Sequence, residues 1–152
     1  MHQNPLVGTW RLVSWQNRGA AGEITFPLGP DAVGFLTYTP DGYVFVALMR
    51  VGRPAFAASD LLAGSSGERA AAAAGYVSYA GTYELRADRV VHHVAASLFP
   101  NWVGTDQERL VGWDGGRLLL STAPAALGGQ QTAHLVWERA GRGIGNGRRR
   151  QR

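Results

Sequence analysis

Residues 89–113, RVVHHVAASLFPNWVGTDQERLVGW, read as a strand, a corner and a second strand. Side chains alternate between the two faces of a strand. Val90, His92, Val94 and Ala96 therefore share one side, and Val91, His93, Ala95 and Ser97 the other. Phe99-Pro100-Asn101-Trp102 is the corner, because a proline cannot donate into a central ladder. On the returning arm Asp106 and Glu108 want water, which sends Thr105, Gln107, Arg109 and Val111 to the enclosed side. An inward arginine and glutamine are costly unless something pairs with them. Arg109 is thus a donor fork for a ligand oxygen or a brace for the fold, and Gln107 can aim at the same point.

Outward from this stretch the chain keeps the same texture. GTWRLVSWQ at 8–16 alternates as a strand, with Trp10, Leu12 and Ser14 on one face. Glu23–Phe26 follows a turn, and Pro27–Asp31 is a loop. Pro40-Asp41-Gly42 between Val33–Thr39 and Tyr43–Val51 is a hairpin signal. Ser65-Ser66-Gly67-Glu68 has capping-box spacing, and the alanines after it predict one helix from about Ser66 to Tyr76. Packed against one end of the fold it would close that end; as a mobile segment it would be a lid. Strands resume at Gly81–Arg86, Arg117–Thr122 and Gln131–Arg139, with turns at Ala87-Asp88 and Asp114-Gly115-Gly116 and a loop at Ala123–Gly129. The expectation is an all-β fold, an antiparallel up-and-down β-barrel of about eight strands with one short helix between the fourth and fifth. A barrel of that size holds one small ligand or fills itself with side chains.

The chain has 152 residues, a formal net charge of +4 and no cysteine. That length gives one domain, expected over 1–140, followed by a disordered Gly/Arg-rich tail over 141–152. The five arginines at 142, 148, 149, 150 and 152 carry the excess, and without them the net charge is −1. A nucleic-acid partner is therefore not expected of the folded body. No run approaches the roughly 20 apolar residues of a membrane span, and MHQNPLVG lacks a signal-peptide pattern. A cytoplasmic protein is expected, and the sequence leaves a homodimer open.

Chemistry that needs a signature is not signalled. His92 and His93 point to opposite faces and cannot share an ion from a regular strand, and no HExxH or His-x-His occurs, so no metal is expected. GxGxxG after a strand, a P-loop and Gly-x-Ser-x-Gly are missing as well, so no cofactor and no serine triad are expected. What remains is an apolar cavity with a few polar groups. Tyr38, Tyr83, His92, Gln107 and Arg109 are placed inward, beside Trp10, Leu12, Leu135 and Trp137. Tyr83 is inward because Thr82, Glu84 and Arg86 prefer the outside. His92 follows only from the solvated look of Ser97. Each tyrosine could instead be a core residue with a satisfied hydroxyl, and His92 could bond a backbone carbonyl. Asn101 and Trp102 line the mouth or brace the corner.

Gly8-Thr9-Trp10 resembles the Gly-x-Trp signature of lipocalin-type barrels, and Arg139 resembles the arginine that packs over that tryptophan. The blocks LVGTWRLVSW, GFLTYTPDGYV, YAGTYEL, VVHHV, LFPNWVGTDQERLV and LVWER together resemble the bacterial and fungal lipocalin-like domain family, from Leu6 to Arg139. The resemblance implies a small barrel with a calyx and a closing pair Trp10–Arg139. Some such barrels act as cofactor-free cyclases or isomerases; others carry or sense apolar ligands. The alanine-rich helix, the tail, and Ala95 and Ala96, which would leave more room inside, depart from the family pattern. The expected function is enclosure of a hydrophobic, oxygen-bearing small molecule of polyketide or terpenoid type, with cyclisation or isomerisation, or carriage alone. The catalytic candidates are His92, Arg109 and Tyr83. The binding candidates are Tyr38, Asn101, Trp102, Gln107 and Trp137.

Overall fold

A computed structural model describes residues 3–123 and 131–141. The expected loop 123–129 (but for Ala123) and the expected tail (but for Gly141) lie outside the described residues. The elements are β1 (Gly8–Arg18), β2 (Ile24–Thr25), β3 (Val33–Tyr38), β4 (Tyr43–Met49), α1 (Ser66–Ala74), β5 (Tyr76–Arg86), β6 (Arg89–Ser97), β7 (Asp106–Asp114), β8 (Arg117–Ser121) and β9 (Thr132–Arg139). A short 3-10 turn, Pro100–Trp102, makes the corner between β6 and β7. Neighbours pair antiparallel in the order β2-β1-β3-β4-β5-β6-β7-β8-β9, and β1 also pairs with β9. Eight strands therefore close into an up-and-down barrel, with β2 a two-residue addition beside the far end of β1. Among the described residues no helix is long and apolar enough to cross a membrane.

The local signals explain most of the elements. Gly42 supplies the left-handed conformation (φ 97°) that the β3–β4 hairpin needs. Ser65 caps α1 by accepting from the Glu68 amide at 3.1 Å, while Glu68 accepts from the Ser65 amide at 2.9 Å. The helix ends at Ala74 rather than Tyr76, because Gly75 caps it and Tyr76 pairs with Met49 as the first residue of β5. The helix also differs from the packed closure expected of it. None of its residues is buried, and short alanine side chains present little apolar surface to hide.

One end of the barrel is filled. Leu6, Trp10, Tyr38, Val44, Val90 and Leu118 are essentially inaccessible there. The Arg139 guanidinium stacks 4.0 Å from the Trp10 ring centroid, and its two terminal nitrogens donate to the Val7 and Pro5 carbonyls at 2.6 and 2.9 Å. Trp10 Nε1 donates to the Leu6 carbonyl at 2.9 Å. The same arginine thus caps the barrel seam and anchors the N-terminal segment.

Two β-bulges alter the expected faces. In β1 the register shifts between Leu12 and Ser14, so Val13 is the extra residue. Ser14, expected beside Trp10 and Leu12, pairs with outward Val136, and Trp15 pairs with Leu135 and turns inward. In β6 Gly81 pairs with Val94 but Ala80 with Ala96, leaving Ala95 extra. Ala95 and Ala96 are both exposed, so they open no room inside, contrary to expectation. The bulge also separates Ser97 from His92, so the parity argument from Ser97 does not carry across it. A Cβ on Gly81 would stand 1.8 Å from the His93 carbonyl oxygen, on backbone that cannot swing aside. Gly81→Ala should destabilise the protein by about 2 kcal/mol or more, read as a drop in thermal or urea midpoint; an unchanged midpoint would show that this crossing is not tight.

Candidate ligand-binding site

Beyond the filled end the barrel holds a cavity of about 330 Å³. Its wall is mostly apolar, with Trp15, Leu36, Val46, Leu48, Val77 and Leu135 among its residues. The polar groups converge from β5, β6, β7, the residue after β8, and β9: Tyr79, His92, Gln107, Arg109, Thr122 and the indole of Trp137. Trp10 and Tyr38 sit at the closed end, while valines, leucines and Ala133 line the cavity together with Trp15, Phe99, Trp102 and Trp137.

His92 is the most buried polar side chain of this wall, 1% exposed. Its Nε2 lies 2.7 Å from the Tyr38 hydroxyl and its Nδ1 lies 2.6 Å from the Tyr79 hydroxyl. Burial, helped by the Arg109 charge, pushes the imidazole pKa down from 6.5 to about 3, so the ring is neutral in the folded protein at ordinary pH. Burial likewise raises the pKa of both phenols, well above 10 for Tyr38, with Arg109 pulling weakly the other way. His93, one residue on, faces outward between Asp106 (2.7 Å) and Glu84 (3.5 Å), and its pKa is raised chiefly by the Asp106 hydrogen bond. The two histidines therefore stand on opposite sides of β6. Among the described residues no three His, Asp or Glu side chains gather where a metal ion could be held.

Arg109 and Gln107 face the cavity from β7, while Asp106 and Glu108 are exposed. One Arg109 terminal nitrogen donates to the Glu108 carbonyl at 2.9 Å, and the other reaches Gln107 Oε1 at 3.5 Å. The Gln107 amide nitrogen donates to Thr105 Oγ1 at 3.1 Å. Among the described residues no carboxylate stands within ion-pair distance of Arg109, although other surface arginines have such partners. Trp137 Nε1 is buried and, among the described residues, has no hydrogen-bond partner.

The remaining candidates divide. Trp102 lines the cavity and stacks edge-on against Tyr79 (5.6 Å, 87°), but the neighbouring Asn101 is exposed and does not line it. Tyr38 stands behind His92 rather than on the wall. Tyr83 faces into the barrel but belongs to its filled end, outside the cavity. Its hydroxyl donates to the Thr39 carbonyl at 2.8 Å and accepts from Asn4 at 3.0 Å, so it ties the β3–β4 hairpin to the N-terminal segment. Tyr79, Trp15 and Val77 were not expected at the site. Val77, Tyr79, Gly81 and Tyr83 do alternate as a strand should, but beginning the strand at Gly81 hid the first two. Trp15 was hidden by the β1 bulge.

Residues 7–140 match the sequence profile of a family described as a lipocalin-like domain. A curated protein of Aspergillus oryzae (strain ATCC 42149 / RIB 40), the 4'-hydroxy-3'-methoxypropiophenone carrier protein ppsC, is 36% identical over 102 residues, which cover 60% of this chain and 92% of that protein. Among solved structures, an uncharacterized protein from Bacteroides eggerthii DSM 20697 aligns over 88% of this chain and 98% of its own, at 14% identity and a TM-score of 0.47.

The depressed His92 pKa has a consequence for stability. Between about 3 and 6.5 the unfolded chain binds a proton at this histidine that the folded chain refuses, so folding weakens as pH falls through that window, by up to about 1.4 kcal/mol per pH unit. His93, whose pKa is raised, contributes with the opposite sign. Urea midpoints measured from pH 7 down to pH 4.5 should therefore fall more steeply in the wild type than in His92→Gln, which has no ring to protonate. Parallel slopes would mean that His92 titrates in the fold much as it does unfolded.

Proposed function

This chain belongs to the lipocalin-like domain family, and we propose that its barrel encloses a small, largely apolar molecule bearing an oxygen and carries it rather than converting it. The observation that carries this reading is a mostly apolar cavity in the barrel whose wall includes one half-buried guanidinium without a carboxylate partner among the described residues. Its donors meet only neutral oxygens of the protein, and a ligand oxygen is a group that would take a charge-assisted hydrogen bond from it. The volume of about 330 Å³ stands at the small end of the usual range for small-molecule sites, about 300–1,000 Å³. It suits a one-ring aromatic or similarly compact molecule better than a long lipid chain. The Aspergillus oryzae relative, named as a carrier of a propiophenone, supports the same reading.

A catalytic reading, cofactor-independent cyclisation or isomerisation of a polyketide- or terpenoid-type substrate, uses the same groups. Arg109 and Gln107 would hold a carbonyl as negative charge develops on it. The rest of the machinery favours carriage. Both nitrogens of His92 are already engaged, its pKa of about 3 makes it a weak base at neutral pH, and the Tyr83 hydroxyl is tied elsewhere. Folding a flexible polyketide or terpenoid into a reactive shape also asks for more room than this cavity offers.

Titration of the tryptophan fluorescence with propiophenones should give saturable quenching, because Trp15, Trp102 and Trp137 line the cavity. Arg109→Met should weaken that binding about tenfold or more, near 1.4 kcal/mol, with circular dichroism unchanged. Saturable binding with no product after prolonged incubation supports carriage, and turnover would support the catalytic reading. Absence of saturable binding to every apolar ketone offered would sink both.

A further inference from the structure

The Tyr38–His92–Tyr79 chain has one hydrogen more than its two hydrogen bonds can use. A neutral imidazole carries one N–H and one bare nitrogen, and each phenol carries one O–H. Three hydrogens thus serve two contacts, at 2.7 and 2.6 Å, and one phenolic O–H must look elsewhere. If Nε2 held the ring proton it would donate to Tyr38, and the spare hydrogen would belong to Tyr38. That residue is 1% exposed and does not line the cavity, and among the described residues its hydroxyl has no other partner. An O–H stranded there would forfeit its hydration with nothing in return. If Nδ1 holds the proton instead, Tyr38 donates to Nε2, Nδ1–H donates to the Tyr79 oxygen, and the spare hydrogen is that of Tyr79. Tyr79 lines the cavity. Only this arrangement delivers the surplus donor to a place where something can accept it.

We propose that Tyr79 is a ligand-binding residue whose phenolic O–H, aimed by Tyr38 and His92, donates to a carbonyl oxygen of the bound molecule, so that the cavity selects ketones over the corresponding alcohols. This rests on the reading of the cavity as a small-molecule site and adds to it the class of the recognised group. The other polar groups on the wall agree. Arg109 and Trp137 Nε1 can only donate, both nitrogens of His92 are occupied, Gln107 Oε1 already faces Arg109, and Thr122 Oγ1 already accepts from the Ala133 amide at 2.8 Å. A wall with donors to offer and few free acceptors suits an oxygen with two lone pairs and no hydrogen. An alcohol in the same place would have to place its O–H on one of the few acceptors left, so the ketone is favoured.

The test uses three probes of nearly one shape, propiophenone, 1-phenylpropan-1-ol and propylbenzene, titrated into the wild type, Tyr79→Phe and Tyr38→Phe. The wild type should prefer the ketone over both others by about tenfold or more. Tyr79→Phe keeps the ring against Trp102 and should weaken ketone binding about tenfold while leaving propylbenzene within about threefold of its wild-type affinity, so that the ketone preference narrows. Tyr38→Phe, which disturbs the same chain without touching the cavity wall, should keep most of the preference. Nitrogen-15 NMR of the wild type, with the His92 signals assigned by their loss in His92→Gln, should show Nδ1 protonated and Nε2 bare. A protonated Nε2 overturns the proposal without need of any tyrosine variant. So does a ketone preference that survives undiminished in Tyr79→Phe. Equal binding of all three probes by the wild type overturns it while leaving the cavity reading standing, and failure of all three to bind overturns both.

Discussion

The pairing of β1 with β9 is the constraint on which the rest depends. Eight hairpin-linked strands have two edges, and each edge is a row of unsatisfied amides and carbonyls until the first strand meets the last. Trp10 sits opposite Arg139 in that seam, with the guanidinium over the indole and its remaining donors on the Pro5 and Val7 carbonyls. The contact joins residues from opposite ends of the chain and at the same time covers the bottom of the barrel. The filled end is built on it. Leu6 is tucked beneath Trp10, and Asn4 reaches the Tyr83 hydroxyl, which in turn holds the β3–β4 hairpin.

Once the barrel is closed, side-chain size decides where it is hollow. Trp10, Tyr38 and Tyr83 fill one end, while at the other Trp15, Trp102 and Trp137 stand with aliphatic side chains around an open space. The β1 bulge then matters more than its single residue suggests. By shifting register at Val13 it turns Trp15 into the cavity at the level of Leu135, so the wall gains an aromatic face where regular alternation would have put Ser14 on the inside. The β6 bulge beside Gly81 does the converse. It places Ala95 and Ala96 outside and ends the inward run of β6 at Val94.

The electrostatics of the cavity follow from the same enclosure. Burial keeps His92 neutral and the phenols of Tyr38 and Tyr79 un-ionised, so among the described residues the only formal charge on the wall is that of Arg109. With no carboxylate opposite it among the described residues, and with His92 committed to its tyrosines, the wall offers hydrogen-bond donors rather than a base.

Much of this was legible in the chain alone. Period-two alternation, Pro40-Asp41-Gly42, the Ser65–Glu68 capping box, and Trp10 with Arg139 at the two ends are local or compositional signals, and they determined an antiparallel barrel with one helix. Asp106 and Glu108 in alternation with Gln107 and Arg109 determined which side of β7 is enclosed, because exposed carboxylates leave their neighbours no other face. The sequence could not decide the faces beyond a bulge, since one extra residue inverts the alternation and leaves no residue-type mark at Val13 or Ala95. Nor could it separate Tyr83 from Tyr79. Both are tyrosines of one strand facing one interior, four residues apart, and only their height in the closed barrel makes one a tie for a hairpin and the other a partner of His92 at the cavity. Height is set by strand tilt and by pairing between residues distant in sequence, which no window along the chain contains.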